Sequence, residues 1–262
     1  METVLAEIGI PAGRVSACDG AALSRAQFPR LTIRARYLWK MSPSEIACFL
    51  SHRSVWEQIV SDEIAFAVIF EDDILISPSI IRLLKTTDWI PPGVDCVKLD
   101  MPGGPAVQDT PLPIAGNEFA LSTAYSILGG TAAYILSLEG ARQLLERTKI
   151  IGGPVDNALF GPQDPAFAGL SFRQIHPAVC LQQMLRQQVR FLPEGAEVSG
   201  IDHGGIWRKK RMRWKKQLSR FGQLRLRMAE TRVAIKWFFT VRYLRMRYGA
   251  APYMPEFYED IR

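Results

Sequence analysis

Three consecutive acids, Glu71, Asp72 and Asp73, interrupt an otherwise apolar run, AFAVIFEDDILIS at 65–77. In extended chain the side chains of Glu71 and Asp73 point the same way, about 7 Å apart. Two unit charges at that distance repel by roughly 2 kcal/mol at an effective dielectric of about 20. A hard divalent cation held by oxygen ligands turns that repulsion into attraction. The run Ala65–Phe70 has the length and the apolar content of a strand covered on both faces, as in an α/β sheet. Acids at the carboxyl end of such a strand stand where open α/β sheets bind their ligands. These thirteen residues also permit a second reading, an acidic surface turn whose charges are screened by water.

The elements that must hold these acids can be read on either side. MSPSEIACFLSHRSVWEQIVSDE (41–63) carries the clearest helix signal. Ser42 is placed as N-cap, Pro43 in the first turn and Glu45 as the capping-box partner. Ile46, Phe49, Leu50, Trp56, Ile59 and Val60 keep helical spacing. A short helix is expected over Met1–Ile8, stopping at Gly9, then a strand at Arg14–Cys18 and a turn at Asp19–Gly20. A helix near Ser79–Thr86, a strand in DCVKLD (95–100) and a Pro/Gly-rich loop over Met101–Asn117 follow. GGTAAYILSLEGARQLLERT (129–148) reads as a strand turning into a helix, GGPVDNALF (152–160) opens another helix, and QIHPAVCLQQ (174–183) contains a further strand. Alternating strands and helices predict an α/β fold with a mostly parallel sheet. No internal repeat is present.

Composition narrows the class. The 262 residues are 48% hydrophobic, which suits a large globular domain with ample core. Cys18, Cys48, Cys96 and Cys180 form no C-x-x-C and read as reduced thiols, not a zinc or disulfide framework. No apolar run is long enough to span a membrane, and no signal segment is evident. The net charge of +6 hides an asymmetry. Residues 1–206 hold 16 Lys/Arg against 22 Asp/Glu, a net −6, whereas residues 207–262 hold 16 against 4, a net +12. We therefore expect a domain at 1–206 and a basic tail at 207–262.

Six segments occur in an order that resembles glycosyltransferase family 25, the bacterial lipopolysaccharide glycosyltransferases related to the collagen galactosyltransferases. They are ACDG (17–20), SPSEIACFLSHRSVW (42–56), AVIFEDDILIS (67–77), DCVKLD (95–100), GGTAAYILSLEGARQLL (129–145) and GPVDNALF (153–160), and the likeness covers about residues 3–185. The resemblance implies a GT-A-like (Rossmann-like) fold, a UDP-sugar donor, often UDP-galactose, Mn²⁺ and inversion at the anomeric carbon. Departure of UDP develops negative charge on the diphosphate, which a divalent ion can clamp as Lewis acid and template. Glu71-Asp72-Asp73 resembles the family's version of an acidic D-x-D motif. Asp73 and Glu71 are then expected to ligate metal, with Glu71 and Asp72 contacting ribose or metal waters.

An inverting transferase also needs a base to take the proton of the acceptor hydroxyl. Asp156, after a Gly-Gly-Pro turn, is the first candidate, and the alternative for it is a helix N-cap. Asp100 is the second, unless it merely closes a strand. His52 shares the inward face of its helix with Phe49 and Trp56. It reads either as a hydrogen-bonded core histidine or, with Ser51, as part of a sugar pocket. Asp19, Glu45 and Thr131 are assigned to the donor pocket by the resemblance. Glu45 as a cap and Thr131 and Tyr134 as packing residues are the competing readings. His176, before Pro177, is given no role.

Two departures from the family pattern stand out. Members usually begin with a strand and an Arg-rich turn ahead of the helix that here starts at Met1. Either an upstream start encodes them, or part of the donor pocket has been lost. Ala47 stands where Gly is usual. In the tail, residues 207–247 contain fifteen Lys/Arg and one acid. Trp214, Leu218, Phe221, Met228, Ile235 and Phe238 recur there at helical spacing. That pattern predicts a basic amphipathic helix suited to an anionic membrane surface, with nucleic acid as the less favoured partner. The expectation is a transferase peripheral on the cytoplasmic face of the cell membrane, acting on an oligosaccharide or glycolipid acceptor. The alternative is a catalytically silent, membrane-associated glycan-assembly partner with the same fold.

Overall fold

The structure, a computed structural model, describes residues 2–23, 41–102, 106–114, 118–125, 128–161, 170–183, 185 and 251–253. The tail expected to be helical at 207–247 lies outside these residues, as does most of 207–262. Helix α1 (Glu2–Glu7) ends at Gly9, whose φ of +71° favours glycine. Arg14–Cys18 is not a strand. It is tethered instead by Cys18 N–H, which donates to Ser51 Oγ at 2.9 Å. Helix α2 (Pro43–Ser61) begins as expected, with the Ser42 side chain accepting from Glu45 N–H and the Glu45 carboxylate accepting from Ser42 N–H. It buries Ile46, Phe49, His52, Trp56 and Ile59 along one face.

The main sheet has six strands: β1 (Phe66–Phe70), β3 (Cys96–Lys98), β5 (Leu112–Ile114), β6 (Phe119–Ser122), β7 (Ala133–Ser137) and β8 (Phe172–His176). Their order is β1-β7-β3-β8-β6-β5, and of the five pairings only β3–β8 is parallel. The expectation of a mostly parallel sheet is therefore corrected to a mixed one. The physical reason lies in the connections. Between β1 and β3 the chain passes through β2 (Ile74–Ile76) and helix α3 (Ile80–Leu84), and these two strands run in the same direction. From β3 to β7 it passes through short strands, β4 (Ala106–Gln108), β5 and β6, with no helical crossover. It returns reversed, inserting β7 between β1 and β3. The apolar run that ends in the acids is thus an edge strand among the described strands, half-buried rather than fully covered.

Alternation along the central strands splits the core into two layers. Tyr134 and Leu136 of β7 face one layer with Ile46, Phe49 and Trp56 of α2, Leu144 of α4 (Leu138–Arg147) and Phe160 of α5 (Val155–Phe160). Ala133 and Ile135 face the other, with Leu5 of α1 and Ile80 and Leu83 of α3. Helices therefore flank both faces of a mixed α/β sheet. Two small ribbons complete the described fold: β2 with β9 (Cys180–Gln182), and β4 with β10 (Ala251–Tyr253). The second ribbon joins residues 251–253 to β4.

His176, at the end of β8, is buried, with Nε2 2.7 Å from Ser122 Oγ and 3.1 Å from Gln108 Oε1. Burial pushes its pKa down to about 4, from an ordinary 6.5. The unfolded chain takes up this proton first, so stability is complete above pH 6.5 and falls as the pH drops toward 4. The shift corresponds to about 3 kcal/mol. Urea unfolding at stepped pH values should show that loss in the native protein and a shallower pH dependence in His176→Gln. Identical slopes would contradict the assignment.

Candidate functional site

The acids sit where β1 leaves the sheet. Glu71 N–H still donates to Ala132 O at 2.8 Å, and β2 then pairs with β9 in the register Ile74↔Gln182. That register brings the side chain of Gln182 to the acids. Glu71 Oε1 accepts from Thr131 Oγ1 at 2.6 Å and lies 3.2 Å from His52 Nε2. Glu71 Oε2 turns the other way, toward Gln182 Nε2 at 3.5 Å, and the same amide is 3.3 Å from Asp73 Oδ2. Two carboxylate oxygens thus converge on one donor, as the i, i+2 spacing predicts. Asp72, between them, is exposed.

A buried relay fixes Glu71 from behind. Trp56 Nε1 donates to Tyr134 Oη at 3.0 Å, and Tyr134 Oη lies 2.8 Å from His52 Nδ1. The two His52 nitrogens thus bridge Tyr134 Oη and Glu71 Oε1, so the ring is fixed between the buried hydroxyl and the carboxylate. Burial alone would raise the Glu71 pKa. Hydrogen bonds from His52 and Thr131, with the charges of His52 and Lys98, outweigh it and hold the carboxyl below its ordinary value. His52 is thus a hydrogen-bonded core histidine, and it also positions an acid.

A second buried group lies alongside. Lys98, wholly inaccessible in β3, donates to Asp100 Oδ1 at 2.7 Å and to Gly130 O at 2.6 Å, with its Nζ 4.5 Å from the Phe160 ring centroid. Asp100 is equally buried and forms an isolated bridge with Cys180. Burial pushes its carboxyl upward, while Lys98 pulls it back. Gly130 has φ +84°, and a Cβ there would lie 3.3 Å from Asp100 Oδ2, 3.8 Å from Lys98 Nζ and 4.0 Å from Gln182 Oε1. Only glycine lets the backbone adopt this turn while three polar side chains close around it.

Asp156 lies in the first turn of α5, where Pro154, not Asp156, occupies the N-cap position. Its Oδ1 accepts from Asn157 N–H at 2.8 Å, and Gly130 supplies a further backbone hydrogen bond. Burial holds its carboxyl above the ordinary value in spite of those bonds and the charge of Lys98. The charge of Glu45, whose carboxylate closes the capping box, acts on both Asp156 and Cys48. Asp19 stands apart, exposed, with Oδ1 accepting from Ala21 N–H at 2.8 Å. The structure therefore gathers Glu71, Asp73, His52, Thr131, Asp100 and Asp156 into one region, with Glu45 at its margin. Lys98, Gly130 and Gln182 were not singled out from sequence. A lysine inside the apolar DCVKLD strand was a usable signal for the first; Gln182 gave none.

Residues 1–159 match the family model described as glycosyltransferase family 25 (LPS biosynthesis protein). That is more than half of the chain. The chain belongs to glycosyltransferase family 25. The lacto-N-neotetraose biosynthesis glycosyltransferase LgtB of Neisseria gonorrhoeae is 29% identical over 161 residues, 55% of this chain and 54% of the relative. Procollagen galactosyltransferase 1-A of Xenopus laevis is 29% identical over 178 residues, covering 61% of this chain and 28% of the relative. A putative glycosyltransferase of Haemophilus influenzae is 27% identical over 205 residues, 75% of this chain and 69% of the relative. The chain spans about half the length of the first curated relatives it matches. The family 25 match contains Glu71, Asp73, His52, Thr131, Lys98, Asp100, Gly130 and Asp156 but not Gln182.

Proposed function

We propose that this family 25 chain is an inverting, metal-dependent glycosyltransferase of the GT-A type. It moves a hexose, galactose in the first instance, from a UDP-sugar to a lipopolysaccharide or other surface-glycan acceptor. The observation that carries this reading is the convergence of Glu71 Oε2 and Asp73 Oδ2 on a single point, occupied by the Gln182 amide, in a family 25 chain. The donor set there is oxygen only, partly accessible and anionic, which fits a hard divalent ion such as Mn²⁺. Asp73 and Glu71 would hold that ion, and the chemistry it supplies is neutralisation of the diphosphate charge as UDP leaves.

The remaining roles follow from the chain's own residues. His52 and Thr131 occupy Glu71 Oε1 and so aim Oε2 outward. Asp156 is the base in this reading: it is half-buried, and a carboxyl pKa raised by burial brings it nearer the operating pH. Asp100, buried against Lys98, fits a positioning role better than proton transfer. Asp72, Asp19 and Glu45 are left to ribose, loop or cap contacts. The test is UDP-sugar turnover without acceptor. Slow, Mn²⁺-dependent hydrolysis of UDP-galactose that EDTA abolishes supports the reading. No hydrolysis and no donor binding with any UDP-sugar would overturn it in favour of a catalytically silent glycan-assembly partner.

The charge of 207–247 supports attachment to an anionic leaflet on the cytoplasmic side, where a lipid-linked acceptor would be met. At about 1 kcal/mol per basic residue near the surface, five engaged residues suffice to hold the enzyme there. Among the described residues, no helix is long and apolar enough to cross a membrane. Because β10 pairs with β4, the tail is best neutralised, not removed. Replacing Lys209, Lys210, Arg211, Arg213, Lys215 and Lys216 with Gln should weaken co-sedimentation with phosphatidylserine-containing vesicles at low salt. Undiminished pelleting would reject the membrane role.

A further inference from the structure

Cys48 and His52 are one helical turn apart on α2, and both reach toward Glu71 at the end of β1. One ligand atom from each, the Cys48 thiol sulfur, a His52 ring nitrogen and a Glu71 carboxylate oxygen, lies within 4.8 Å of the other two. We propose that these three residues form a site for a thiophilic divalent cation, with Zn²⁺ as its physiological occupant.

The donor set argues for this class of ion. One thiolate, one imidazole and one carboxylate, with a fourth position open to water, is a zinc composition. Manganese and magnesium favour oxygen and have little use for a thiolate. Tetrahedral zinc with ordinary bond lengths holds its ligand atoms about 3.3 to 3.6 Å apart; His52 Nε2 and Glu71 Oε1 are already 3.2 Å apart, so at most about 1 Å of contraction is needed, on the Cys48 side. Side-chain rotation of Cys48 and Glu71 can supply it. The outer-shell partners are in place, and a shift of the His52 proton to Nδ1 completes them. Tyr134 Oη, 2.8 Å from His52 Nδ1 and anchored by Trp56, can accept Nδ1–H and leave Nε2 for the metal. Thr131 steadies Glu71 with a 2.6 Å hydrogen bond.

The field favours a cation as well. The negative charges of Glu71, Asp156, Asp73 and Glu45 all act on Cys48, which keeps an exposed surface on α2. The same negative field attracts a divalent ion. Binding forms the sulfur–metal bond, breaks the S–H bond and releases that proton to solvent. A zinc ion there would engage Glu71 and so compete with the use of Glu71 for a nucleotide, a consequence that rests on the proposed transferase function. The site itself does not.

Cobalt(II) is the probe, titrated into the full-length, metal-free protein. One equivalent should produce a thiolate-to-cobalt charge-transfer band and tetrahedral d–d bands, both erased by one equivalent of Zn²⁺. Cys48→Ser should remove the charge-transfer band. His52→Gln should weaken zinc affinity by more than the roughly 10- to 100-fold cost of losing an outer-shell partner. Cys18→Ser and Asp73→Asn should leave the band in place. The Asp73 variant separates the two readings, since it should lose manganese-supported donor binding but keep cobalt. No charge-transfer band, or one that survives Cys48→Ser, would overturn the proposal.

Discussion

Asp73→Asn is expected to abolish manganese-supported binding of a UDP-sugar while leaving the chain folded. The substitution keeps the side-chain shape and one acceptor oxygen but removes one of the two charges that converge on the Gln182 amide. An asparagine oxygen is a far weaker ligand for a hard cation than a carboxylate. Transfer should fall by about 10²- to 10³-fold, the scale of losing one preorganised electrostatic group at a reaction centre. The fold should be indifferent. Asp73 is half-exposed, and asparagine keeps both the backbone carbonyl that accepts from Gln183 N–H at 2.8 Å and an oxygen that can accept from Gln182 Nε2. Relief of repulsion between Asp73 and Glu71 would, if anything, stabilise the metal-free protein slightly. Calorimetry with UDP-galactose, run with Mn²⁺ and with EDTA, checks the binding, and thermal unfolding checks the fold. Retained manganese-dependent affinity in a folded Asp73→Asn protein would remove the basis of the proposed chemistry.

What could be read from sequence divides along a physical line. Local rules carried far. The capping box at Ser42 and Glu45, the inward face of α2, the Ser137 transition from β7 into α4 and the shared direction of Glu71 and Asp73 all depend on neighbours a few residues away. Sheet direction did not follow, because it depends on where a chain re-enters a sheet, and β7 re-enters between β1 and β3 after a stretch of short strands. The same insertion makes the site. It places Tyr134 behind His52, and Gly130 and Thr131 beside Lys98 and Glu71, across sequence separations that no periodicity encodes. Gln182 reaches the acids through a ribbon pairing more than 100 residues away in sequence, with a separation of 109 to Asp73. The expected strand at Arg14–Cys18 shows the opposite failure. Its residues suit a strand, but their contact is a side-chain anchor on α2, not a sheet edge.

Lys98→Met should destabilise the protein by about 3–5 kcal/mol, the largest stability effect expected of a single substitution at the site. Lys98 and Asp100 are 0% and 1% exposed in their side chains and 2.7 Å apart, so neither can turn to water when the other is lost. Removing the ammonium leaves Asp100 beside Gly130 O without its charge partner and strips a cation from the Phe160 face. Methionine fills the volume but supplies no donor. The variant can relieve its buried charge only by protonating Asp100, so its folded-state pKa must rise further above the ordinary carboxyl value. The sign then follows. A carboxyl whose pKa is raised in the folded state destabilises the protein above that pKa and not below the unfolded value. Denaturant unfolding should therefore show Lys98→Met losing most stability near neutral pH and recovering part of it on acidification. Pairing Lys98→Met with Asp100→Asn should restore much of the loss, since a neutral pair escapes the cost of an isolated charge. A single variant as stable as the native chain, or a double variant less stable than either single one, would show that Lys98 and Asp100 are not the mutually dependent pair the geometry describes.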